Sequence, residues 1–175
     1  MKKILFRTAM LIFLSAFLLS CGNLTDKYPD AEITETEAGN TLIVTEDFSA
    51  MILTKEFMEA RSRTASPPEY WTPKIDQIFE IESNLAEYLA QHGAGFNSGH
   101  APDQEKLSTY GRQYYGETTD QDSFIFGHFF CAHHMEEFDW QNQLVSVFGG
   151  GDCYFGVAWN PNTREFILAM ANSPK

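Results

Sequence analysis

Between His128 and Asp139 the chain places imidazole, thiol and carboxylate groups at close intervals. They are His128, Cys131, His133, His134, Glu136, Glu137 and Asp139, with Cys153 further on. These groups bind zinc or copper. A β-strand over 123–133 would alternate its side chains, putting Cys131 and His133 on one face and His128, Phe130 and His134 on the other. Only two ligands then meet locally. A metal site on Cys131, His133, His134 and Glu136 would need Cys153 or the carboxylates beyond the strand to complete it. The competing reading, which the spacing favours, makes His133, His134, Glu136 and Glu137 a solvated strand end and turn, with His128 satisfied among aromatic rings.

Other chemistry is thinly signalled. In the run from Gly95 to Gly99 the serine, Ser98, stands one place too late for a Gly-x-Ser-x-Gly nucleophile elbow. The glycines at 149–151 lack the following helix that a phosphate-binding loop must open. Cys131 and Cys153 lie in apolar strand-like runs, where burial raises a thiol pKa and disfavours a nucleophile. The motifs therefore lean away from an enzyme. Tyr110, Arg112 and Tyr114, with Tyr115, form an aromatic and basic strand. Its rings suit stacking on a sugar or on a partner's arginine, and equally suit packing half in and half out of a sheet.

The N-terminus addresses location. Lys2, Lys3 and Arg7 precede an apolar run from Thr8 to Leu19, the charged and apolar regions of a secretory signal. The run is too short for a comfortable span of a bilayer core about 30 Å thick. It ends Leu18-Leu19-Ser20-Cys21, which resembles the lipobox of bacterial lipoproteins. That resemblance implies cleavage after residue 20 and acylation of Cys21, holding the chain at a membrane. Two or three acyl chains give stable anchoring, at about 0.8 kcal/mol for each buried methylene. Gly22, in place of the Asp that retains many such proteins in the inner membrane, favours the outer membrane.

The leader removes three of the 12 basic residues and none of the 24 acidic ones, so the mature chain carries −15. Such a body is repelled by nucleic acid and by anionic head groups, which argues against a nucleic-acid function. With Cys21 acylated, Cys131 and Cys153 are the remaining cysteines. In an oxidising compartment a disulfide and a buried free thiol are the two readings, and register decides between them.

The expected organisation is a signal peptide over 1–20, a lipid-anchored flexible tether over 21–40 and one domain over 41–175. Strands are expected at 41–45 and 48–54, with Thr54 capping a short helix to Arg61. A loop follows over 63–71. The firmest helix runs 73–91, with Thr72 as N-cap, Pro73 at its first position and Gly93 in the left-handed terminating position. Its apolar stripe is Ile75, Ile78, Ile81, Leu85, Tyr88 and Leu89. Strands at 107–115, 123–133, 144–148, 152–159 and 163–170 follow, with turns at 116–122 and 160–162. The glycines at 149–151 either turn the chain or bend one long strand.

These elements predict an α+β domain with one long amphipathic helix on an antiparallel sheet of four or five strands, a layout that resembles cystatin-like folds. The segment from Gly150 to Phe155, with the Asn160-Pro161 hairpin, also resembles small bacterial envelope proteins of uncharacterised function, a resemblance that implies no activity. The functional expectation is a lipid-anchored envelope protein with a non-catalytic binding domain. One form is an inhibitor of a basic hydrolase such as lysozyme, supported by charge alone. The alternative is a metal-binding protein or metal-assisted enzyme using the Cys131, His133 and His134 cluster.

Overall fold

A computed structural model describes residues 27–99, 101–119 and 122–174, without the side chains at 104 and 134. Cys21 and the leader lie outside the described residues. Among those described there are eight strands and four α-helices. The first half holds β1 (Glu32–Glu35), β2 (Thr41–Val44), β3 (Ser49–Ile52), α1 (Lys55–Glu59), β4 (Glu69–Trp71) and α2 (Ile75–Gln91). The second half holds α3 (Gln104–Leu107), β5 (Gly111–Thr118), β6 (Ser123–Phe130), α4 (Ala132–Glu137), β7 (Tyr154–Asn160) and β8 (Glu165–Ala171).

The strands form one sheet in the order β1-β2-β3-β5-β6-β7-β8, with β4 beside β5. This overturns the expected antiparallel sheet of four or five strands and its cystatin-like layout. The sheet has eight strands and is mixed, because β3 runs parallel to β5, with Ser49 opposite Gly111 and Ile52 opposite Tyr114. A parallel pair needs a long crossover, here the chain through α1, β4, α2 and α3. Turn residues announce only neighbours joined by hairpins, as β5–β6 and β7–β8 are. They carry no signal for a crossover.

Alternation along the strands builds two apolar layers. Ala50, Ile52, Tyr114, Ile125, Phe129, Phe155 and Val157 face Ile78, Ile81, Leu85 and Leu89 of α2. Met51, Leu53 and Phe130 point the other way, to Phe57 and Met58 of α1 and to Trp140 and Val145. Fully burying one such side chain contributes about 1.5–3 kcal/mol.

Several local expectations shift. Thr54 does cap α1, accepting from Phe57 N at 3.3 Å. Thr72 is not the cap of α2; its Oγ1 accepts from Lys55 N at 2.9 Å and ties the two helices. The N-cap is Lys74, whose backbone N–H donates to Gln77 Oε1 at 2.9 Å. Gly93 opens a 3-10 turn over Gly93–Gly95 rather than taking a left-handed conformation. Residues 28–40, inside the stretch expected as tether, belong to the fold. Tyr28 is buried against Phe48 and Phe79, and β1 pairs with β2. β4, inside the expected loop 63–71, lays Trp71 across Gly116, where any Cβ would strike the indole.

Candidate functional site

On the face opposite α2 the covering layer stops short. Segment 138–147 lies over β5 and the near part of β6, held by the fully buried Gln113. Its Nε2 donates to Trp140 O at 2.6 Å and Gln143 O at 2.7 Å, and its Oε1 accepts from Val145 N at 2.9 Å. Segment 144–148, expected as a strand, is therefore fastened by a side chain instead of a ladder. At its far end Asn172 Nδ2 donates to Val147 O at 2.7 Å and Gly149 O at 3.0 Å. Replacing Gln113 by alanine orphans these backbone groups, so Gln113→Ala is expected to cost about 2 kcal/mol. Hydrogen exchange should rise at 138–147 and not in α2; uniform protection would refute this role.

Beyond that segment the side chains of β6, β7 and β8 are left open. Phe126, His128, Val147, Leu168 and Met170 line a hollow of about 260 Å³. Of the residues lining it, Met170 is 56% and Leu168 44% exposed, and Phe148, next in the chain to Val147, is 98% exposed. Most large apolar side chains are withdrawn from water in a folded domain, so exposed apolar groups of this size stand out from the rest of the surface. At the floor His128 Nε2 lies 3.3 Å from Tyr115 Oη. Burial lowers the imidazole pKa below its ordinary 6.5 and raises that of the phenol. Both are neutral at pH 7, and the floor carries no charge.

The neighbouring corner contains the sulfurs. β6 ends at Phe130, and the chain turns at Cys131 into α4, so the strand expected to reach His133 is three residues shorter. Gly149, Gly150 and Gly151 have φ of 83°, 87° and 61°, the left-handed region that favours glycine. They turn the chain into the 3-10 turn Gly151–Cys153 and on into β7, which settles the two readings of the glycine run in favour of a turn. Cys131 N donates to Cys153 O at 3.0 Å, and the two residues form a disulfide with Cα atoms 5.1 Å apart. That spacing falls within the range a bridge demands.

Among the described residues, Cys131, His133 and Cys153 bring potential ligand atoms within 4.8 Å of one another. Glu136 is exposed and stands outside this group, and the His134 side chain lies outside the described residues. A second hollow, of about 530 Å³, is lined by His133, Glu137, Phe138, Val147, Cys153 and Tyr154. Val147 and Tyr154 line both hollows, so the open sheet face and the sulfur corner are contiguous.

Asp152 anchors the corner from the other side. Its carboxylate accepts from Asn97 N at 2.8 Å, Ser98 N at 3.0 Å and Asn97 Nδ2 at 3.2 Å. Burial pushes its pKa up, but the hydrogen bonds from Ser98 and Asn97 outweigh that and hold it below the ordinary 3.8. A depressed acid stabilises the fold above its unfolded pKa and loses that contribution as pH falls through the folded value. Asp152→Asn should therefore flatten the stability profile below pH 3.8. An unaltered acid limb in urea titrations would contradict this.

Tyr110, Arg112 and Tyr114, read from sequence as a possible binding strand, are buried, and Arg112 is 2% exposed. Tyr110 Oη donates to Asp152 O at 3.0 Å, and Tyr114 Oη donates to Glu82 Oε1 at 2.7 Å. The alternating strand places Arg112 and Tyr114 under α2, so they offer no surface to a sugar or a partner. Sequence reading missed Phe148, Leu168 and Met170 as surface residues, because an apolar residue in a strand pattern signals burial and nothing local says which face lacks a cover.

No family model matches the chain, and neither a curated protein nor a solved structure matches it. Among the described residues no helix is long and apolar enough to cross a membrane.

Proposed function

We propose that this chain is a lipid-anchored, non-catalytic binding protein of the cell envelope, and that its ligand is a protein segment presenting apolar side chains flanked by basic ones. The observation that carries this reading is an uncharged hollow lined by the exposed Leu168 and Met170 and by Val147, whose chain neighbour Phe148 stands almost wholly in solvent. Water contact with three large apolar side chains is relieved when a partner covers them. The acidic body favours basic flanks on that partner and steers its approach. The lipobox-like Leu18-Leu19-Ser20-Cys21 supports an anchor on Cys21, with the outer membrane favoured by Gly22. Inhibition of a basic envelope hydrolase is one form this activity takes.

The test uses the full-length protein in cells, with a photo-crosslinking residue at position 148. A discrete protein adduct is expected, lost when Met170→Asp is added and matched by at least a ~10-fold fall in affinity for the recovered partner. Met170 is exposed, so the variant should melt with the parent. No adduct, or an adduct indifferent to Met170→Asp, overturns the reading. Mass spectrometry of the mature N-terminus tests the anchor: residues 1–20 retained, or no lipid mass on Cys21, would remove it.

A further inference from the structure

Beyond the binding face, we propose that the Cys131, His133 and Cys153 corner is a redox-gated zinc site, closed as a disulfide and able to take Zn²⁺ once an external dithiol has opened it. Two sulfurs and one imidazole nitrogen fall within 4.8 Å of one another although they come from three separate places: the end of β6, α4 and the turn before β7. A tetrahedral zinc ion holds sulfur at about 2.3 Å and imidazole nitrogen at about 2.0–2.1 Å, which sets adjacent ligand atoms roughly 3.5–4 Å apart. With the bridge broken, rotation about the Cys131, Cys153 and His133 side-chain bonds brings ligand atoms that already lie within 4.8 Å of one another to that spacing.

The chemistry balances in two steps. A dithiol donor attacks one sulfur through one of its thiolates, a mixed disulfide forms and is resolved by its second thiol, the donor leaves as its own disulfide, and the donor's two electrons and two protons end on the Cys131 and Cys153 thiols. Zn²⁺ then displaces both thiol protons, and a ring nitrogen of His133 supplies a lone pair. Two thiolates cancel the ionic charge, and Glu136 and Glu137 on α4 favour a cation nearby. Both cysteines are half-buried rather than sealed, and Cys153 and His133 line the 530 Å³ hollow, which gives the donor its approach. The hollow also gives water access as a fourth ligand. Two cysteines and a histidine with one place open is a ligand set that zinc adopts where it keeps a site for exchange.

The probe is the metal alone, on the full chain carrying Cys21→Ser so that no third thiol interferes. Protein reduced with a dithiol and freed of it under nitrogen is titrated with Co²⁺ and then Zn²⁺. One Co²⁺ per chain is expected, with a thiolate charge-transfer band that Zn²⁺ abolishes, and the oxidised protein should show none. His133→Ala alters an exposed residue, so it should fold, form the disulfide and bind zinc at least ~10-fold more weakly when reduced. Absence of the thiolate band in reduced protein overturns the proposal. So does His133→Ala binding zinc as tightly as its parent, or equal binding by the oxidised form. None of these results bears on the adducts at Phe148.

Discussion

Arg112→Ala is expected to lower folding stability by roughly 3–5 kcal/mol, because it strands a buried carboxylate. Arg112 Nε lies 2.8 Å from Glu82 Oε1, with the two side chains 2% and 4% exposed. The contact is off the N–H axis, so its value is Coulombic, and the directed bonds run from Nη1 to Tyr110 O and from Nη2 to Leu107 O. Burial raises the Glu82 pKa, opposed first by the Arg112 charge and then by the Tyr114 hydrogen bond. Removing the guanidinium removes the larger opposition. An acid whose folded pKa is raised contributes most below its unfolded pKa, and that contribution is lost as pH rises through the folded value. The variant's deficit should therefore be smaller near pH 4.5 than at pH 7. The double change Arg112→Met with Glu82→Leu should recover much of the loss. Urea unfolding at both pH values measures this, and a single-variant loss under ~1 kcal/mol would put the pair among merely superficial ones.

Reduction of the Cys131–Cys153 bridge is the second large effect. The bridge spans 22 residues, a loop whose closure is worth about 3 kcal/mol in the denatured chain. For a domain of this size, that corresponds to a fall in Tm of roughly 10 °C. The measurement is thermal melting with reductant and chelator present, compared with the oxidised protein. The double variant Cys131→Ser, Cys153→Ser should reproduce the reduced curve without reductant. An unchanged Tm after complete reduction would show that the corner is held by Asp152 and the backbone, not by the bridge.

What could be read from sequence follows from which forces are local. The α2 stripe and the paired strands flanking 119–122 and 161–164 were legible because periodicity and turn residues report a single element or a hairpin. The Arg112–Glu82 pair leaves a trace in the sequence. Glu82 sits four residues after Ile78 and three before Leu85, inside the apolar stripe, and a charge there demands a buried partner. β1 was hidden by its composition, since an edge strand exposed along its whole length has no apolar alternation to show. Segment 144–148 looked like a strand because Leu144, Val145, Val147 and Phe148 are strand residues. Gln113 captures its backbone instead, a partnership 32 residues distant in sequence. The Cys131 and Cys153 corner depended on ending β6 at Phe130, and element ends are where pattern reading is weakest.

The pairing of β3 with β5 also bears on biosynthesis. Ser49 must wait for Gly111 before the inner edge of the first three strands has a neighbour. A nascent chain cut off between these points would carry an unsatisfied, apolar β rim at Ala50 and Ile52, with nothing to docket it against. Truncations ending before β5 should thus stay unfolded and protease-sensitive, whereas any that include all of β7 have every strand needed to close the sheet's centre.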